Sequence, residues 1–278
     1  MTTATLPSRR PAPGPAPKLE RISSGSIRSP RIIVQAVEGW GKTTLGAYAP
    51  NPVILMARGE TGFETLRQSS SVPDCDAVRL NSWADTLKIV EDLRTTNHES
   101  VVLDALGGFE RLCHEHVCAR DFDNVWGEKG FQAYMRGYDV AIADWQQLIV
   151  RMDELRSIRN VNIILLAHSK IKTFKNPLGP DFDRYVPDCH EKTWGVTHKW
   201  ADAVLFGNYI SVTRKDKGRD KGIGGTERVI YCDRTDAYDA KNRYGMPSML
   251  TMSVGPADMW KTVWAAINPN AAGAAPEL

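Results

Sequence analysis

The chain has 278 residues, of which 42% are apolar and 24% charged, proportions that exclude a disordered polymer and suit one α/β domain with decorations. The formal net charge of +2 is too small to imply a polyanion partner by itself, and no apolar run approaches the roughly 20 residues that span a bilayer. Five scattered cysteines without a CxxC pair argue against a disulfide framework, and no secretory apolar stretch opens the chain, so a cytoplasmic, reducing setting is expected.

Residues 1–30 contain six prolines and five basic side chains (Arg9, Arg10, Lys18, Arg21, Arg28) against one acid, Glu20, and read as a disordered basic arm. From there short apolar runs alternate with helical patterns, the mark of a mostly parallel sheet flanked by helices. The first strand is Arg31–Ala36 (RIIVQA), followed by the glycine-containing segment 36–43 and a helix over Thr43–Ala49. A second strand, Val53–Ala57, leads to Glu60, and a helix covers Trp83–Leu93. The strand Val101–Leu103 closes on Asp104 and precedes helices over Phe109–Arg120 and Val140–Arg156. In the latter, Ile142, Trp145, Leu148, Ile149, Met152 and Leu155 recur at helical spacing. The strand Asn162–Ala167 ends at His168, and a long loop follows over about Ser169–Lys199. Beyond residue 200, Ala203–Arg214 and Arg228–Cys232 read as antiparallel strands around a Gly- and Lys-rich turn, Lys215–Gly225. The predicted organisation is therefore an arm at 1–30, one α/β domain at 31–265 with a C-terminal antiparallel hairpin extension, and a flexible tail at 266–278.

The segment AVEGWGKT, residues 36–43, follows an apolar strand and opens a helix, which is the setting of a phosphate-binding P-loop; Ala36 replaces the usual first glycine. Backbone N–H groups from Glu38 to Thr43 can curl round a phosphate where the helix dipole favours negative charge. Lys42 would reach the β- and γ-phosphates of ATP, and the Thr43 hydroxyl would ligate Mg²⁺. The binding segment runs Ala36, Val37, Glu38, Gly39, Trp40, Gly41, Lys42, Thr43, Thr44, with Gly39 and Gly41 giving the backbone room and bulky Trp40 expected to stack on something. A second magnesium anchor is expected at Asp104, where a carboxylate ends a buried strand. Glu60 is a candidate to position the attacking water, or a solvated loop carboxylate. His168 is a candidate sensor of the γ-phosphate, or a structural histidine.

Strand–P-loop, strand–Glu, strand–Asp and strand–polar residue, in that order, resembles the RecA-like P-loop ATPase core. The segments VEGWGKTTL, VVLDAL, NVWGEKGFQAYMRGYDVAIADW, NIILLAHSKIKTFKNPLGPDFDRYVPD, KWADAVLF and AKNRYGMP are similar to those of the phage nucleotide-binding proteins of that superfamily, which include Sak-type single-strand annealing and recombination ATPases. The resemblance covers about residues 31–255. It implies that Glu60 is the catalytic glutamate and that His168 stands where the parent recombinases carry a glutamine. It also implies that Lys241 and Arg243 form a basic pair reaching the neighbouring subunit's γ-phosphate, so that a homo-oligomer, ring or filament, is the active form.

The same resemblance places DNA on the loops after the Asp104 and His168 strands. In the second, Lys170, Lys172, Lys175, Arg184, Lys192 and Lys199 are interleaved with Phe174, Tyr185 and Trp194, a pattern suited to single-stranded DNA through phosphate neutralisation and base stacking. Asp181, Asp183, Asp188 and Glu191 in that loop oppose it. The first loop offers Trp126, Lys129, Phe131, Tyr134 and Arg136, and a basic turn adds Arg214, Lys215 and Lys217. The expectation is an ATP- and Mg²⁺-dependent protein acting on single-stranded DNA in phage-type recombination, annealing or replication, with a single-strand binding protein as a further candidate partner. A nucleotide-gated assembly module, another P-loop motor and a small-molecule kinase are the alternatives.

Overall fold

A computed structural model describes residues 28–216, 219–252 and 255–269, without side-chain detail over 211–224. Most of the predicted arm, the tail from residue 270 and Lys217 lie outside the described residues, as do the side chains of Arg214 and Lys215.

The elements follow one another as β1 (Arg31–Ala36), α1 (Lys42–Ala47), β2 (Pro52–Ala57), α2 (Gly62–Gln68), β3 (Asp76–Leu80) and α3 (Trp83–Asp92). Next come β4 (Ser100–Asp104), α4 (Leu106–Asp121), α5 (Arg136–Arg159), β5 (Asn162–Phe174), β6 (Phe182–Pro187) and α6 (Glu191–Trp200). The chain continues through β7 (Ala203–Asp216), β8 (Arg219–Tyr231), β9 (Lys241–Asn242), β10 (Met249–Thr251) and α7 (Asp258–Ile267). The sheet runs β10-β8-β7-β1-β5-β4-β2-β3, with β6 paired to β5 and β9 to β7. From β7 to β3 every pairing on this path is parallel; β8 turns back against β7, and β10 against β8. This is a mostly parallel sheet flanked by helices, with an antiparallel extension at one edge.

The central strands are apolar throughout because both faces are covered, and their side chains alternate between two cores. Ile33, Leu55, Leu103, Ile163 and Leu165 pack with Trp83, Phe109 and Trp145 of α3, α4 and α5. Ile32, Val34, Ile54, Val102, Ile164 and Leu166 enter the other core with Leu45 of α1 and Trp260 and Val263 of α7. On α5 the residues Trp145, Leu148, Met152 and Leu155 are buried at helical spacing, and Asn160 ends the helix in the left-handed region.

Two sequence expectations are corrected. The long loop after His168 is not a loop: β5 continues to Phe174, pairs with β6 in antiparallel register, and α6 follows. This ribbon projects from the core, so Lys170 and Lys172 alternate with Ile171 and Thr173 and no apolar run betrays it. The turn expected at Lys215–Gly225 is mostly strand, since β7 reaches Asp216 and β8 resumes at Arg219. Gly222 and Gly224 join the ladder opposite Thr213 and Ser211, because pairing uses the backbone and needs no side chain. The short elements α2, β3, β10 and α7 add to the predicted set. No described helix is long and apolar enough to cross a membrane.

Candidate functional site

Parallel pairing brings four strand ends together. Register sets Ala36 of β1 beside His168 of β5, and Asp104 of β4 beside Met56 of β2, with Glu60 just beyond that strand. Ligands of α/β folds gather at this carboxyl edge.

After Ala36 the backbone turns through Gly39 at φ 70° and Gly41 at φ 106°, left-handed values that favour glycine, and α1 begins at Lys42. The ammonium of Lys42 is buried and donates to the carbonyls of Ala36 (3.0 Å) and Val37 (3.1 Å). Burial pulls its pKa down, against the pull of Asp104, Glu38 and Glu60. The hydroxyl of Thr43 donates to Asp104 Oδ2 at 2.6 Å, and Asp104 is only 4% exposed. Burial raises the Asp104 pKa, with the Thr43 bond opposing. A hydroxyl and a carboxylate oxygen side by side, next to a lysine, form a hard oxygen donor set that fits Mg²⁺.

Glu60 Oε1 lies 3.6 Å from His168 Nε2, and both side chains are partly exposed. The imidazole holds the Glu60 carboxyl below its ordinary value, although partial burial pushes the other way. A carboxylate kept ionised near Lys42 and Asp104 is suited to orient water. Glu38 is exposed at the loop's rim and Thr44 half-buried behind it.

Trp40 departs from the stacking role expected of it. Its side chain is fully buried, and the indole N–H donates to the carbonyls of Asn208 and Val229, each at 3.1 Å. A bulky residue is tolerated in the loop because Gly207 leaves space; a Cβ there would come within 2.7 Å of the indole.

Lys241 and Arg243 sit far from this edge. β9 pairs with the start of β7, where Ala203 lies beside Ile32, so the pair is near the opposite ends of the strands, about 13 Å below Ala36. Lys241 donates to the carbonyls of His198 (2.8 Å), Lys199 (2.9 Å) and Ala201 (2.6 Å), closing the end of α6. Arg243 is more open, 53% exposed and 3.5 Å from Asp202.

Lys170, Lys172, Lys175 and Arg184 line a groove of about 980 Å³ between the β5–β6 ribbon, α6 and the start of α5, and Lys192 lies outside its lining. Most are already paired within the chain. Lys170 meets Asp188 at 2.8 Å, Lys175 meets Asp181 at 2.6 Å, Arg184 meets Asp239 at 2.9 Å, and Lys192 meets Asp139. Arg184 is also 10% exposed and lies over the Phe174 ring. Lys172 alone of the five has no ion-pair partner among the described residues. Phe174 is partly open, whereas Phe131 of the first loop is core.

Two residues escaped the sequence reading. Glu110 of α4 is buried and accepts the N–H of His190 at 2.9 and 3.0 Å, fixing the start of α6. Tyr209 of β7 donates its hydroxyl to the Gly39 carbonyl at 2.6 Å. Neither contact has a local signature, since the partners are 80 and 170 positions apart.

A family model described as an AAA domain matches residues 28–244. No curated protein matches the sequence. Among solved structures, the chain is similar to one titled "Crystal structure of the RadB recombinase", with 14% identity and a TM-score of 0.44 over 82% of this chain and 90% of that one.

Proposed function

The chain belongs to the AAA domain family, and from that premise we propose that it binds ATP with Mg²⁺ and hydrolyses it while acting on single-stranded DNA. The observation that carries the reading is the 2.6 Å contact of Thr43 with buried Asp104, beside the Lys42 ammonium and facing the Glu60–His168 pair. Lys42 would exchange the carbonyls of Ala36 and Val37 for phosphate oxygens. Thr43 and Asp104 would hold Mg²⁺, which when bound neutralises phosphate charge. Glu60 orients the attacking water, and His168 communicates the state of the site to the β5–β6 ribbon that it begins.

In the finer reading, the protein is a phage-type recombination, annealing or replication ATPase similar to the Sak-type proteins, working in phage-host cytosol as a ring or filament beside a single-strand binding protein. The arm 1–30 and the tail flank a single ATPase domain, expected at 31–265 and carried by α7 to Ile267. Lys170, Lys172, Phe174 and Lys175 of the groove meet the strand together with Lys192 of α6, with Arg184 behind them and Arg214, Lys215 and Lys217 of the hairpin as further contacts. Of the trans pair, Arg243 is the freer to stabilise a neighbour's γ-phosphate, because Lys241 is engaged at the end of α6.

The ion pairs in the groove favour a second reading, a nucleotide-gated assembly module with negligible turnover, since few cations there are ready for phosphate. Steady-state ATP hydrolysis with and without single-stranded DNA, for wild type and Lys42→Ala, separates the two. Stimulation by DNA that vanishes in the variant supports the first. ATP binding without stimulation supports the second.

A further inference from the structure

Two aromatic side chains tie the phosphate loop to the β7–β8 hairpin. Tyr209 holds the Gly39 carbonyl at 2.6 Å, and the Trp40 indole is bound to Asn208 on one strand and Val229 on the other. Val37 N–H adds a bond to the Gly207 carbonyl at 3.2 Å. The tie coincides with a defect in the hairpin, because the β7–β8 register shifts between Tyr209 and Ser211. Such irregularities interrupt the ladder locally and bend the strand. The Arg228 guanidinium lies 5.8 Å over the Tyr209 ring from the facing strand, steadying the tyrosine at that joint.

The backbone makes these contacts matter for phosphate. In a planar trans peptide, the N–H of Trp40 points away from the Gly39 carbonyl. With that carbonyl held outward by Tyr209, the N–H is turned into the loop, where its contact with the Val37 carbonyl is a long 3.4 Å. Burial of the indole fixes the Cα of the same residue. The peptide is therefore oriented before any phosphate arrives, which spares the ligand part of the ordering cost.

We propose that Tyr209 and Trp40 are positioning residues for phosphate binding, and that through them nucleotide occupancy is transmitted to the β7–β8 hairpin at its bulge. The inference rests on the phosphate loop binding ATP. Any shift of Gly39 or Trp40 as phosphate enters must either break these bonds or move the hairpin with it.

Tyr209→Phe removes only the hydroxyl, and Trp40→Phe keeps a ring in the slot but loses the indole N–H. Each is compared with wild type and Lys42→Ala in two measurements: the Kd of a fluorescent ATP analogue with Mg²⁺, and hydrogen–deuterium exchange over 203–210 and 226–231 with and without ATP. Loss of one net hydrogen bond is expected to weaken binding about 3–10-fold. Wild type should show ATP-dependent change in exchange across the hairpin, reduced in both variants even at saturating nucleotide. A merely structural contact would change exchange equally with and without ATP. Wild-type affinity in both variants, or exchange in the wild-type hairpin that ignores bound ATP, overturns the tie while leaving the phosphate loop intact. No ATP binding by wild type, or binding untouched by Lys42→Ala, overturns the nucleotide reading and the tie with it.

Discussion

At Asp104, burial and charge oppose each other. The raised pKa means that the folded state favours the neutral acid, so this group's contribution to stability is fully present below its unfolded value and is lost as pH rises through the folded one. Asp104→Asn keeps a partner for Thr43 and removes the buried charge, so the nucleotide-free variant is expected to melt higher than wild type at neutral pH. It should also lose the thermal shift produced by ATP with Mg²⁺, which in wild type at about 100 times Kd corresponds to about 2.7 kcal/mol. Thermal unfolding with and without ATP and Mg²⁺ reads both effects. Glu60 behaves oppositely. His168 lowers its pKa while burial raises it, so His168→Ala leaves burial in control and should move the acid limb of the kcat/KM profile to higher pH. Glu60→Gln should retain ATP binding and lose about 10²-fold or more in turnover. Lys42, Thr43, Asp104, Glu60 and His168 were legible in the sequence because each belongs to a strand and the few residues after it. Tyr209 and Glu110 were not, since only the folded chain brings them to their partners.

Among the elements, the buried strands and long helices were legible because continuous apolar runs and helical spacing record burial directly. The β5–β6 ribbon was not, since it stands clear of the core and is held by its ladder and by Phe174 facing Phe182, with ring centroids 5.2 Å apart. Its ion pairs also change what its basic residues can do. A lysine held beside an aspartate offers the strand little net positive charge, so the salt dependence of single-strand binding should follow mainly the unpaired cations. Of these five cations Lys172 alone is unpaired among the described residues, so their share of the slope of log K against log salt is expected near −0.7, whereas all five engaged would contribute about −3.5. Asp188→Asn combined with Asp139→Asn should steepen the slope and tighten binding, as a fluorescence-anisotropy titration over a salt series would record. The hairpin slot makes a packing prediction. Gly207→Ala places a methyl against the Trp40 ring and the Ala36 Cβ and should cost about 1–3 kcal/mol in urea unfolding.

For the molecule as a whole, the two members of the basic pair should separate in experiment. Lys241→Ala strips three carbonyls of a charged donor and is expected to lower stability by about 1.5–3 kcal/mol, whereas Arg243→Ala should leave it nearly unchanged. If Arg243 acts in trans, that variant binds ATP but hydrolyses poorly, and mixing it with Lys42→Ala restores turnover in the combined population. The position of β1 has a further consequence, one that concerns synthesis. The strand leading into the phosphate loop is the first described strand to leave the ribosome, yet its neighbours are Ile163 onwards on one side and Ala203 onwards on the other. Both of its edges stay unpaired until most of the chain has been translated. The nascent protein therefore carries an adhesive apolar strand for most of its birth, and nucleotide cannot help it fold until the β7 strand has arrived.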